Sequence, residues 1–155
     1  MHNDIFEITK NSFPSDEWAD ESWFYEDDNV DYTTLLNDDE REEIINDWFD
    51  SDSFNSLFSR GSSQDTIVYN GGLKEIKEQW YERIRIEVDT LATNHLCSTY
   101  NLRKTIDQPI FGYTLFCLPE WSGTKSSTPR ELLEWLETLE AGTVLYVNSV
   151  FDYHW

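Results

Sequence analysis

The longest helical periodicity in the chain runs from Leu73 to Leu96. Leu73, Ile76, Trp80, Ile84, Val88 and Leu91 follow one another at spacings of 3, 4, 4, 4 and 3, the mark of a helix with one buried face. Lys74–Glu78, Arg83–Glu87 and Arg85–Asp89 fall at i,i+4 on this segment. Each such pair adds about 0.2–0.5 kcal/mol and keeps the helix nearly neutral. Two other helices carry start signals. Asn37 is placed to cap a helix whose first turn is Asp38, Asp39 and Glu40, with Glu40 at the capping-box position. Ile44, Ile45, Trp48 and Phe49 form its apolar stripe. Near the other end Thr128 is a cap, Pro129 takes the first helical position, Glu131 completes a box and Gly142 stands beyond the end. Leu132, Leu133, Trp135, Leu136 and Leu139 are the core face of that helix. A short helix is expected around Phe54–Phe58.

Strands are predicted at Thr66–Tyr69, which Asn70-Gly71-Gly72 stops, at Pro109–Leu118, and at Thr143–Phe151. Residues 1–36 show no sustained period, so loops and short helices are expected there. Together these elements predict an α+β fold in a single domain, residues 1–155. A small sheet of about three strands would pack against the long central helix within an α+β core at residues 66–155. An acidic, partly helical, aromatic-rich N-terminal segment, residues 1–65, would precede that core.

Charge changes this picture more than composition does. The 155 residues carry 31 Asp and Glu against 11 Lys and Arg, a net of −20. A magnitude of about 2–8 keeps a small domain soluble. Residues 1–65 hold nineteen acids and three bases (Lys10, Arg41 and Arg60), a net of −16. Such asymmetry marks an interaction surface. It excludes direct binding to nucleic acid or to an anionic membrane surface, both of which need a basic patch. No apolar run approaches the roughly 18–20 residues of a membrane span. The start, Met1-His2-Asn3-Asp4, lacks the basic and apolar regions of a signal peptide. A cytoplasmic protein is the expectation.

No motif in the chain names a reaction. Cys97 and Cys117 match no zinc spacing with His95 or His154 and are expected as reduced, partly buried thiols. Asp27-x-Asn29-x-Asp31 with Asp38 at position twelve resembles a calcium loop, but Tyr32 stands where the turn demands Gly. Gly123-Thr124-Lys125-Ser126 lacks the earlier Gly of a phosphate loop. No catalytic residue, metal or cofactor is therefore assigned.

The acidic surface remains. Asp16, Glu17, Asp20, Glu21, Glu26, Asp27, Asp28 and Asp31 precede Asp38, Asp39, Glu42, Glu43 and Asp47 on the predicted helix, with Trp18, Trp23 and Tyr25 interleaved. Carboxylates at i, i+3 and i+4 lie about 5–6 Å apart at Cβ, the scale of neighbouring phosphates. Aromatics supply the anchors that charge alone lacks. In charge and size the chain resembles the phage and mobile-element proteins that mimic DNA to block restriction or CRISPR enzymes. The expectation is a non-enzymatic inhibitor that binds the basic nucleic-acid-binding site of another protein through residues 16–52. An immunity protein or antitoxin that neutralises a cationic nuclease toxin is the alternative. A small acidic enzyme without a recognisable motif is the third reading.

Overall fold

The structure, a computed structural model, describes residues 2–93 and 99–155. Its frame is a mixed sheet of seven strands, not a small one of about three. The strands are β1 (His2–Thr9), β2 (Tyr32–Leu35), β3 (Phe58–Arg60), β4 (Thr66–Tyr69), β5 (Leu115–Cys117), β6 (Ser126–Ser127) and β7 (Val144–His154). They lie in the order β3-β4-β7-β1-β5-β6, with β2 also paired to β7. Only β1 and β5 run parallel. The segment read as loops thus supplies a central strand. Ile5, Phe6, Glu7, Ile8 and Thr9 are all buried. A strand covered on both faces shows no alternation, which is why its period does not register.

Phe6 and Ile8 look onto the main core. There α1 (Asp38–Phe49), the short α2 (Asp52–Asn55) and α5 (Pro129–Leu136) bring Ile45, Trp48, Phe49, Phe54, Leu132 and Trp135. Trp48 stacks on Phe6 at 4.5 Å between ring centroids. On the other face Ile5, Leu115, Cys117, Phe151 and Tyr153 pack under Ala19, Phe24 and Val30. Those three come from residues 15–30 of the acidic segment, a stretch with two 3-10 turns (Ser15–Glu17 and Glu21–Phe24). That stretch is a covering layer on this face of the sheet.

The helix expected at the centre lies at the periphery. α3 (Leu73–Thr93) begins after Gly71 and Gly72, both with positive φ. Of its stripe only Ile76 is buried, Leu73, Trp80, Ile84 and Leu91 are half-buried, and Val88 is exposed. α1 and α5 already cover that face of the sheet. What α3 packs against is α4 (Thr99–Asp107), which the sequence reading lacks: Trp80 Nε1 donates to the Thr105 carbonyl at 2.7 Å. A 3.6 period reports that a face is shielded, not by what. The expected strand Pro109–Leu118 shrinks to β5, because Phe111 and Gly112 both adopt positive φ and break it. Cys97 and His95 lie outside the described residues.

β7 has β1 along one flank. The other flank is divided: β4 pairs with residues 144–146 and β2 with residues 151–154. Between them no strand reaches. Arg41 of α1 fills the gap, its Nε donating to the Asn148 carbonyl at 2.5 Å and its Nη2 to the Val147 carbonyl at 2.7 Å. The Asp65 carboxylate holds Nη1 at 3.2 Å, and the Trp18 ring covers the guanidinium at 5.0 Å. The Asp65 carbonyl accepts from the Val147 N–H, and the Val150 carbonyl accepts from Leu36. Replacing Arg41 with Met leaves two inward carbonyls without donors. The expected loss is about 2–6 kcal/mol, at 1–3 per orphaned group, read from urea melts. Trp48→Ala is expected to cost about 3–5 kcal/mol. Trp80→Ala should cost less, since its ring is half-buried; equal losses would contradict the peripheral placement of α3.

Candidate functional site

The acids expected to form a contact surface divide into two groups. α1 is built as its start signals imply. The Asn37 side chain accepts from Asp39 and Glu40 N–H at 3.1 and 3.0 Å, and Glu40 returns to the Asn37 N–H at 3.2 Å. Ile45, Trp48 and Phe49 turn inward and Arg41 turns toward β7, which leaves Asp38, Asp39, Glu42, Glu43 and Asp47 exposed. None of these five forms an ion pair with any described residue. Asp38–Glu42, Asp39–Glu43 and Glu43–Asp47 are like charges at i,i+4, each destabilising by about 0.2–0.5 kcal/mol. Asp16, Glu17, Glu26 and Asp28 are likewise exposed. Asp31 is exposed too and lies 3.5 Å from His154 Nδ1.

Asp20, Glu21 and Asp27 belong to the scaffold instead. Asp20 caps the second 3-10 turn by accepting from Ser22 N–H at 2.8 Å. Glu21 accepts from Leu35 N–H at 2.8 Å on the edge of β2. Asp27 receives Asn29 N–H at 2.8 Å, Ser126 N–H at 2.5 Å and Ser126 Oγ at 2.9 Å. Its oxygens are committed, and Tyr32 is in a strand, so the calcium-loop resemblance has no counterpart in the fold. Among the described residues no three His, Cys, Asp or Glu assemble as a metal site.

Of the expected aromatic anchors, Trp18 lies under Arg41 and donates Nε1 to the Phe13 carbonyl at 3.0 Å. Trp23 packs against the second core. Tyr25 alone is open, with 81 % of its surface exposed. The structure adds Tyr32 and Leu35 of β2, both exposed; Tyr32 lies beside His2 and His154, and Leu35 lies opposite Phe151. Tyr32 stacks on the His154 ring at 5.3 Å. Their only sequence signal was a four-residue strand with polar neighbours.

Two carboxylates are perturbed. Asp4 sits opposite Asp152 across the β1–β7 pair. Burial, then the Asp152 and Asp47 charges, raise its pKa to about 6. Glu7 is buried where Asn148 and Ser149 of β7 bulge against β1. Burial pushes its pKa up, and N–H donors at Ala19 (3.0 Å) and Ser149 (3.2 Å) oppose this. Cys117 is buried, and burial followed by the Glu7 and Asp27 charges pushes its thiol far up, which removes it as a nucleophile.

Asp4 binds a proton more tightly folded than unfolded, so its contribution to stability falls as pH rises from about 3.8 to about 6. Asp4→Asn should raise stability at neutral pH and flatten that slope, leaving the part due to Glu7. Urea melts across the range check this; a variant less stable at neutral pH would contradict it. Among the described residues no helix is long and apolar enough to cross a membrane. Compared with known proteins, the chain matches no family model, no curated protein and no solved structure, so its function is read from its own geometry.

Proposed function

We propose that this protein is a non-enzymatic inhibitor whose acidic surface enters the basic nucleic-acid-binding site of another protein, in the manner of a DNA mimic. The observation that carries the reading is the row of unpaired carboxylates on the outer face of α1. Asp38 and Asp39 favour the N-terminal end of the helix dipole, but Glu42, Glu43 and Asp47 lie beyond the first turn and form no ion pair with a described residue. Their like-charge neighbours oppose the helix, and their number exceeds what solubility needs. Two of the three bases of the acidic half are engaged elsewhere: Arg41 holds the β7 carbonyls and Asp65, and Arg60 pairs with Asp50 at 2.8 Å over the Phe49 ring. Duplex DNA carries a charge every 1.7 Å or so of its axis, held by Lys and Arg grooves. A rigid helix bearing Asp38, Asp39, Glu42, Glu43 and Asp47 offers such a groove a comparable row, with Glu26, Asp28 and Asp31 extending the acid. Tyr25, Tyr32 and Leu35 serve as apolar anchors at its side. The partner is a nuclease, a methyltransferase or a CRISPR effector, met in the cytoplasm of a host carrying a phage or mobile element.

The test is capture of partners by the full chain, followed by binding at rising salt and with competing duplex DNA. A nucleic-acid enzyme displaced by both is expected; a small-molecule pathway enzyme, or binding indifferent to both, would sink the proposal. A partner bound alongside its DNA and encoded next to this chain would replace the mimic by a toxin-immunity role. Glu42→Lys, Glu43→Lys and Asp47→Lys combined lie outside the first helical turn. They should leave the melting temperature equal or higher, while affinity falls by about a hundredfold or more, as for loss of several charge contacts.

A further inference from the structure

A cleft of about 400 Å³ opens between α4, the loop leading into β5, and the end of β7. Four aromatic residues, Tyr100, Tyr113, Tyr153 and Trp155, line it together with Arg103, Lys104 and the apolar Leu115. The Tyr113 and Trp155 rings lie 5.2 Å apart at 30°. Lys104 Nζ stands 4.6 Å from the Tyr113 centroid, and the Tyr100 and Tyr113 hydroxyls are 3.5 Å apart. Lys104, then Tyr100, draw the Tyr113 phenol below its ordinary range. Tyr153 donates its hydroxyl to the Tyr113 carbonyl at 2.5 Å and so pins the wall to β7. The volume is that of a small-molecule site.

One feature of the same loop is unexplained by folding. Gln108 lines both this cleft and a neighbouring one of about 850 Å³, yet its Oε1 is buried with no hydrogen-bond partner among the described residues. A buried acceptor without a donor is rare and costly unless something else satisfies it. Phe111, three residues on, holds φ +63 and Gly112 φ +59. A bulky L-residue rarely adopts that conformation; here the Phe111 ring, packed in the main core against Phe116, Phe58 and Trp48, holds it and fixes the course of the loop along the cleft. Asp28 and Asp107 also line the cleft. Asp107 lies 3.9 Å from Arg103 and offsets it, whereas Lys104 forms no ion pair with a described carboxylate. Asp28 is left as an acceptor for hydroxyl groups.

We propose that this cleft binds a small planar aromatic anion with a hydrogen-bond donor on its ring edge, the chemistry of a nucleoside monophosphate. The ring lies on the Tyr113–Trp155 wall, as bases do on aromatic side chains. An N–H on the base edge (the exocyclic amino group of adenine or N3–H of uracil) meets Gln108 Oε1, a ribose hydroxyl meets Asp28, and the phosphate meets Lys104. Apart from Asp28, which also borders the acidic surface, this site shares no residue with the row on α1, and it does not depend on the partner reading.

Titration calorimetry on the full chain tests it, with AMP and UMP as probes and adenosine, ribose 5-phosphate and inorganic phosphate as separate arms. At least one mononucleotide should bind, with each fragment about tenfold weaker or more. Lys104→Gln should weaken the mononucleotide about tenfold and leave adenosine unchanged. Gln108→Leu should weaken it likewise while the melting temperature stays level or rises, because the variant removes an unpaired buried carbonyl. No binding of either mononucleotide overturns the proposal. So does phosphate binding as tightly as the nucleotide, which marks plain anion attraction, or a Gln108→Leu variant that binds like the parent.

Discussion

The guanidinium of Arg41 stands where the sheet has no strand. β7 is long enough to hold two short partners on one flank, β4 and β2, and they leave the bulged residues between them uncovered. Carbonyls at Val147 and Asn148 face that gap. Backbone groups buried without partners would forbid the arrangement. A planar fork with several donors satisfies both carbonyls and the Asp65 carboxylate at once, a geometry Lys does not offer. Because Arg41 also stacks on Trp18, it ties α1 on one face of the sheet to the acidic segment on the other. The positions of β2, α1 and the covering layer all depend on this side chain.

That arrangement decides which carboxylates serve the fold. Asp20, Glu21, Asp27 and Asp65 each accept hydrogen bonds that close a turn, an edge or a crossing. Glu7 sits inside the β1–β7 bulge among neutral donors. The acids on the outer face of α1 have no such duty, and they repel one another. The distinction between scaffold acids and free acids is geometric, and composition does not contain it.

The best-marked helix starts were legible in detail. The capping boxes at Asn37/Glu40 and Thr128/Glu131 are present with the bonds their spacing implies, since a cap is a local contest between one side chain and a few backbone donors. Thr66–Tyr69 is a strand with the boundaries its composition and turn suggest. Non-local features were not legible. β1 is buried on both faces and so carries no alternation. The stripe of α3 is real, but most of it is only partly shielded, and the helix lies at the edge. The row of acids on α1 could be read from spacing, whereas the roles of Asp20, Glu21, Asp27, Trp18 and Trp23 could not, because their partners lie elsewhere in the fold.

By itself the sequence determined the helices with strong caps, the charge asymmetry between the two halves, and the lack of any recognisable catalytic motif. These are properties of residues and of their near neighbours along the chain. Only the tertiary structure decided that β1 from the acidic half lies in the middle of a seven-stranded sheet, that Arg41 completes that sheet, and that α4 and the Gln108–Tyr113 loop enclose an aromatic cleft. Each of these rests on contacts between residues far apart in sequence. Pairing partners, and the donors that satisfy a buried carbonyl, are selected by what remains unpaired once every other element has packed, so no local pattern announces them.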